Sequence, residues 1–331
     1  MLNLIDYIGK KALLNKGITR DEALLILNLD HKFLSPLLTW TDRLRQTFNG
    51  NTVDLCSVIN ARSGGCPEDC SFCSQSVNSS TDITAYPLLP VDTIIEGAKT
   101  AKANGATKFC LATSGNGIGS EKELNKICEV IEKINKEVGI NVCATLGSLS
   151  KDEMIALKSA GLTRFHHNLE TAESYFPEVC TTHTYQDRID QVRFAKDVGF
   201  SICSGGIFGI GETIEHRIDL AFAIKALDVD SVPINFLMPF QGSPLSNTTP
   251  ISPFEALKII ALFRFSMPYI EIRICGGRTT ALRELHPLIF SAGANGMMIG
   301  NYLTKGGREP NKDLQMLSDL GLEIETHMQV I

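Results

Sequence analysis

VDLCSVINARSGGCPEDCSFCSQS, residues 53–76, joins a β-branched run, VDLCSVIN (53–60), to a glycine pair and then to Cys66, Cys70 and Cys73 in the spacing CxxxCxxC. The run has the composition of a strand, so the three cysteines fall on the loop that follows it. Similar runs recur along the chain: TKFCLAT (107–113), INVCATL (140–146), TRFHHNL (163–169), SICSGGI (201–207), SVPINFL (231–237), YIEIRIC (269–275) and GMMIG (296–300). Between most of them lie segments of helical periodicity, such as DTIIEGAKTAKANG and KDEMIALKSAG, which end in glycine as helix C-termini often do. Eight βα units in one chain predict an α/β fold, a (β/α)8 TIM-type barrel; a doubly wound sheet more often stops at five to seven strands. Chemistry in such barrels gathers where strands end and βα loops begin, and that is where the first strand delivers its cysteines.

A barrel of this type takes about 250 residues, so a chain of 331 has room for add-ons. We expect an N-terminal helical extension over residues 1–50, with Thr19 capping TRDEALLIL, and a barrel with a C-terminal tail over 51–331. No linker rich in Pro, Ser or charge divides the chain. Net charge is −6 without a basic block, which removes the electrostatic footprint for nucleic acid or an anionic membrane. There is no signal-peptide pattern in MLNLIDYIGKKALLNKG and no uncharged apolar run of about 18 residues. A cytoplasmic protein that handles small molecules is expected. Ten cysteines are too few for a stapled secreted scaffold of this length, and a reducing cytosol would keep them as thiols, so metal or redox chemistry is the better use of a tight cluster.

A structural zinc site needs four tetrahedral ligands, usually two CxxC pairs; here there is one, and the next cysteine upstream, Cys56, lies inside a strand. A four-iron cluster held by three cysteines leaves one iron open to a small molecule. On spacing alone, zinc and plain loop cysteines stay open beside it. Cys110, Cys143 and Cys203 sit in mid-strand, in the second, third and fifth runs. In a closed barrel alternate side chains point to the axis, so the three can converge, although unpaired cysteine is also an ordinary core filler. Arg273 and Cys275, two apart in EIRICGGR, share a face; a plain role for this arginine is a salt bridge to a buried carboxylate. With Cys56, they make three contenders for a fourth inner ligand. His166, Asn168 and Glu170 share a face of the fourth run, and Asn235 occupies a similar position in the sixth; asparagine amides suit an amide or urea because each offers donor and acceptor. The glycine-rich GGIFGIGET (205–213) does not match GxGxxG but allows close backbone approach by a ligand.

Taken together, GGCPEDCSFCSQS, NVCATLGSLS, HNLET, TTHTYQDR, ICSGGIFGIGET, VPINFL, GSPL and SAGAN resemble the radical S-adenosylmethionine enzymes, and within them the biotin synthases, over about residues 45–320. The resemblance implies that Cys66, Cys70 and Cys73 hold a [4Fe-4S] cluster whose open iron is chelated by the amino and carboxylate groups of S-adenosylmethionine. Phe72 would lie near the adenine and Asn168 and Glu170 at the ribose, with Gly205, Gly206, Ile207 and Met238 lining the cofactor site. Cys110, Cys143 and Cys203 match ligands of an auxiliary cluster, and Arg273 matches the arginine ligand of its [2Fe-2S] form. Asn168 and Asn235 would hold the ureido ring of dethiobiotin, and Thr304 and Lys305 its carboxylate. The barrel would include a C-terminal biotin- and thiamin-synthesis-associated portion. The implied reaction generates a 5′-deoxyadenosyl radical that removes hydrogen from two carbons of dethiobiotin, while the auxiliary cluster supplies the sulfur. A flavodoxin- or ferredoxin-like electron donor and a homodimer are implied, with no nucleic-acid or membrane partner.

Three departures qualify that pattern. Cys56 and Cys275 stand where the common aerobic-type enzymes tend to have serine, Gly296 also replaces a serine, and His166 stands where an asparagine is usual in the substrate pocket. The first two imply a larger auxiliary cluster, a four-iron form with an added sulfide as in the anaerobe-type subgroup, with Cys275 or Cys56 displacing Arg273. Competing readings are the related hydrogenase-maturase and methylornithine-synthase branches, which need no inner sulfur donor, and a non-catalytic iron-sulfur protein.

Overall fold

The computed structural model describes residues 1–325; the last six residues of the expected tail, 326–331, lie outside the described residues. Three helices come first, α1 (Leu2–Leu13), α2 (Arg20–Leu27) and α3 (Leu34–Asn49). Thr19 caps α2 as expected, in a capping box with Glu22 that satisfies two backbone donors reciprocally. Strands β1 (Thr52–Arg62), β2 (Lys108–Thr113), β3 (Asn141–Thr145), β4 (Arg164–His166), β5 (Ser201–Cys203), β6 (Gly206–Phe208), β7 (Ser231–Phe236), β8 (Glu271–Ile274) and β9 (Gly296–Met298) follow. The helices between and after them are α4 (Val91–Ala103), α5 (Glu121–Lys133), α6 (Lys151–Ser159), α7 (Tyr185–Asp197), α8 (Ile214–Leu227), α9 (Pro253–Ser266), α10 (Arg278–Leu282), α11 (Leu288–Ser291) and α12 (Pro310–Asp319).

The strands are parallel and run in chain order around a closed circle, with β9 returning to pair with β1 through Asp54–Gly296, Leu55–Met297 and Cys56–Met298. This is the eight-position barrel expected. Position five is shared, because β5 and β6 pair one after the other with β7. A short β10 (Glu323–Ile324) adds to the start of β1 outside the barrel.

Two expected runs are corrected. TRFHHNL keeps strand pairing only as far as His166, and SICSGGI breaks after Cys203. The cause is a close approach of three chain segments: a Cβ on Gly205 would lie 2.0 Å from the Pro233 carbonyl oxygen, and one on Gly206 would lie 2.3 Å from that of Glu170. Only glycine fits at either position.

Period-two alternation sorts the side chains. Phe109, Val142, Ala144, Phe165, Ile272 and Ile274 are fully buried in the apolar layer between strands and helices, so their neighbours Cys110, Cys143, Arg164, His166, Arg273 and Cys275 face the barrel axis. Helices supply the other half of that layer: α5 buries Ile127, Val130 and Ile131 while Glu121, Lys122, Glu129 and Glu132 face solvent.

Candidate active site

The inward side chains line one cavity of about 310 Å³. Its floor is ionic and is set by residues at the starts of strands. Asp54 pairs with Lys108 and Arg273, and Glu271 pairs with Arg273 and, at 3.0 Å, with Arg164. Ser231 Oγ donates to Glu271 at 2.6 Å. Burial alone would raise the Glu271 carboxyl, but Arg273, Arg164 and Lys108 outweigh it and hold it well below the usual range. Buried charges persist only when paired in this way.

Two residues further along the strands stand the thiols. Cys56 follows Asp54, Cys110 follows Lys108, and Cys275 follows Arg273, joined by Cys143 and Cys203; all five are buried and line the cavity. Cys110 and Cys143 are register partners on adjacent strands, and Cys56 packs with both. The His166 ring Nδ1 lies 3.3 Å from Cys203 Sγ. Contact with Cys143, then burial, raises the Cys56 thiol, and burial raises those of Cys203 and Cys275. Such thiols give up their protons only to a cation that replaces them. All ten cysteines of the chain are free thiols.

The loop after β1 forms the mouth. The Cys66 amide donates to the Gln75 carbonyl at 3.2 Å, Cys73 to that of Cys70 at 3.0 Å, and Ser71 to that of Val179 at 2.9 Å. Cys66 and Cys70 are buried, while half-buried Cys73 lines the cavity with Phe72. A donor set of three thiols on one loop beside a cavity suits a four-iron cluster with one iron left to a small ligand, and five thiols from five strands suit a second cluster beneath it.

Two family models match the chain, the Radical SAM superfamily over residues 61–224 and the Biotin and Thiamin Synthesis associated domain over 233–323. The chain is 45% identical over 321 residues to the biotin synthase of Pelotomaculum thermopropionicum, covering 97% of this chain and 100% of that relative. The chain belongs to the biotin synthase family. Biotin synthases of Geotalea uraniireducens and Clostridium acetobutylicum are likewise 45% identical, each across 98% of the relative's length. Among solved structures, a methylornithine synthase superposes with a TM-score of 0.85 at 22% identity, covering 96% of this chain and 97% of that one, and a maturase of the [FeFe]-hydrogenase with 0.83 at 16%, covering 97% and 75%. These likenesses are of fold.

Within the biotin synthase barrel, Asn168, Glu170, Ile207, Met238, Asn235 and His166 line the cavity walls, with Thr304 and Lys305 at the rim. Backbone groups fix both asparagine amides: Asn168 Oδ1 accepts from the Gly205 amide at 3.1 Å, and Asn235 Oδ1 accepts from that of Gly276 at 2.9 Å. Asn168 Nδ2 donates to Glu170 at 3.2 Å and Asn235 Nδ2 to the Gly206 carbonyl at 3.2 Å. Glu170 takes a left-handed backbone, φ +68°, and burial raises its carboxyl against the pull of Arg188. Thr304 Oγ1 lies 2.9 Å from Ser74 Oγ, tying the rim to the cysteine loop, and the Lys305 ammonium sits 4.0 Å above the Phe240 ring. At Gly205 and Gly206 the carbonyl oxygens of Pro233 and Glu170 come within 2.0 and 2.3 Å of where a Cβ would sit, so the protein's own packing requires glycine at both positions. The Arg273 guanidinium is committed to Asp54 and Glu271.

Spacing gave no sign of the carboxylates that hold Arg273, since Asp54 and Glu271 are 217 positions apart in the chain. Cys180 and His183 were missed as well. Cys180 Sγ lies 3.8 Å from Cys70 Sγ, and its C-x-x-H spacing was the available signal.

The buried histidines give a pH prediction. Burial lowers His166 to about 4 and His167 well below its ordinary value, so both are neutral in the folded chain at pH 7. Their stabilising contribution is complete above the unfolded pKa near 6.5 and is lost as pH falls toward the folded value, because the unfolded chain then binds more protons. Stability of the cluster-free protein should fall by up to about 1.4 kcal/mol per pH unit per histidine below pH 6.5. Urea unfolding between pH 7 and 5 measures this, and His167→Gln should flatten the slope.

Proposed function

We propose that this cavity is where dethiobiotin is converted to biotin. The carrying observation is that five buried thiols, carried by or just past separate strands, line one cavity that Cys73 of the CxxxCxxC loop also lines. When bound, a [4Fe-4S] cluster with S-adenosylmethionine supplies a 5′-deoxyadenosyl radical by one-electron chemistry, and an auxiliary iron-sulfur cluster supplies sulfur. Cys66, Cys70 and Cys73 would hold the first cluster. Cys110, Cys143 and Cys203, completed by Cys275 or Cys56, would hold the second, which we read as a four-iron form with an extra sulfide.

The chain's own work is positioning and exclusion of water. Phe72, Glu170, Ile207 and Met238 form the cofactor side of the cavity. The backbone-fixed amides of Asn168 and Asn235, with His166, face the ureido ring, and the fixed orientation removes an ordering cost on binding. Thr304 and Lys305 meet the substrate carboxylate at the rim. Arg273 braces the floor beneath the thiols rather than serving as an iron ligand. We further infer a homodimer in the cytoplasm that takes electrons from a flavodoxin- or ferredoxin-like protein, with residues 51–331 as the catalytic unit and 1–50 as its extension. No helix among the described residues is long and apolar enough to cross a membrane.

Anaerobically reconstituted protein given dethiobiotin, S-adenosylmethionine and a low-potential reductant should yield biotin with two 5′-deoxyadenosines per biotin, one for each carbon that loses hydrogen. 5′-Deoxyadenosine without biotin would move the chain to another radical reaction.

A further inference from the structure

Cys180 and His183 lie between the turn at Phe176–Glu178 and α7, on the outer side of the cysteine loop, and neither lines the cavity. Cys70 Sγ, Cys180 Sγ and a His183 ring nitrogen lie mutually within 4.8 Å. The two sulfurs are 3.8 Å apart, and the His183 nitrogens are 3.4 and 3.8 Å from Cys180 Sγ. A tetrahedral zinc with Zn–S of about 2.3 Å and Zn–N of about 2.0–2.1 Å sets two thiolates roughly 3.8 Å apart, and a thiolate roughly 3.5 Å from an imidazole nitrogen. The side chains therefore already mark the edges of such a tetrahedron. Asp69 Oδ1 lies 3.1 Å from Cys180 Sγ and accepts from the Thr181 amide at 2.9 Å, so it positions Cys180 from outside the three-residue group and leaves the fourth position to water. Glu68, buried, contacts His183 Nδ1, as an outer carboxylate does in fixing the tautomer of a metal-binding imidazole; the nitrogen left for the ion is then Nε2, 3.8 Å from Cys180 Sγ. Two thiolates and a neutral imidazole match a soft, doubly charged ion.

We propose that Cys70, Cys180 and His183 bind one divalent zinc-class ion in the cluster-free chain, with water as the fourth ligand, and that this ion competes with assembly of the iron-sulfur cluster on Cys66, Cys70 and Cys73. The competition rests on the reading of Cys70 as a cluster ligand: a thiolate spent on one metal is withheld from the other. Binding releases the Cys70 thiol proton to solvent and involves no change of oxidation state. The ion would hold the loop and keep Cys70 from oxidation until iron and sulfide arrive.

Cobalt(II) is the probe, titrated anaerobically into the cluster-free full-length chain, with thiolate-to-cobalt charge transfer as the signal. The inner thiols also take cobalt, so the readout is the difference between variants. Wild type should bind one more equivalent than Cys180→Ala, Cys180→Ser or His183→Gln, and Cys66→Ala should keep that equivalent. Even outer-shell changes cost about 10–100-fold in metal affinity, so loss of the Cys180 ligand should weaken this equivalent by at least about 100-fold. Zinc loaded beforehand should slow four-iron cluster assembly in wild type and leave Cys180→Ser unaffected. Retention of the equivalent in both Cys180 variants, each shown to be folded by circular dichroism, or its loss in Cys66→Ala instead, would overturn the site. Cluster assembly in Cys70→Ala would instead overturn the reading of Cys70, a separate result because the cobalt titration contains no iron.

Discussion

Cys73→Ala is expected to fold normally, to lose the iron-sulfur cluster at the cavity mouth, and to form no detectable biotin. The loop presents only three thiols of the CxxxCxxC set, and Cys73 is the one that faces the cavity directly. With alanine there, two ligands remain, too few to hold four irons against solvent. The loss then equals the whole acceleration that the bound group provides, at least about 10⁶-fold. Cys73 is only half-buried and its amide, which alanine keeps, makes the turn bond to Cys70, so the fold should survive. Cys128→Ala is the control: that thiol lies half-buried on α5, away from the cavity, and should change neither iron content nor turnover. Iron and sulfide analysis with a biotin assay checks both variants.

Arg273→Ala is expected to destabilise the cluster-free chain by about 3 kcal/mol, the lower end for breaking a buried ion pair, and to leave the iron content of the inner site unchanged. The lower end applies because the floor is over-supplied with cations. Asp54 and Glu271 face Lys108, Arg164 and Arg273, so removing Arg273 leaves two carboxylates against two cations. The unchanged iron content follows because the guanidinium is held by carboxylates and five thiols are available around it. Urea unfolding gives the first quantity and iron analysis the second; loss of inner iron in Arg273→Ala, with the cysteines intact, would make the arginine a ligand.

Much of this was legible because it depends on short-range pattern. Alternation in KFCLAT and NVCAT decides which side chains face the axis, so the convergence of Cys110 and Cys143 follows once the sheet closes. The same parity places His166, Asn168 and Glu170 on one wall, although β4 ends at His166 and Glu170 rejoins the sheet only through a single bridge to Gly206. What stayed hidden depends on contacts across the barrel. The carbonyls that fill the space beside Gly205 and Gly206 come from Pro233 and Glu170, and a glycine pair reads the same whether ligand or protein approaches it. The floor pairs Asp54 with Arg273, 219 residues away, and each looks alone like an isolated charge in a strand. Cys180 sits beside Cys70 because the Val179 carbonyl accepts from Ser71 and Asp69 accepts from the Thr181 amide, loop-to-loop bonds with no sequence signature.

On the proposed function, one barrel carries two iron-sulfur clusters, a radical-generating one at the mouth and a thiolate-held sulfur donor within. Mössbauer spectroscopy with iron and sulfide counting on anaerobically reconstituted protein tests it most directly, comparing wild type with Cys275→Ala, Cys56→Ala and Arg273→Ala. Two four-iron signals are expected in wild type, with the inner one lost or reduced in a cysteine variant and unchanged in Arg273→Ala. A single cluster in wild type would contradict sulfur insertion, and a two-iron inner signal perturbed by Arg273→Ala would contradict the all-thiolate site.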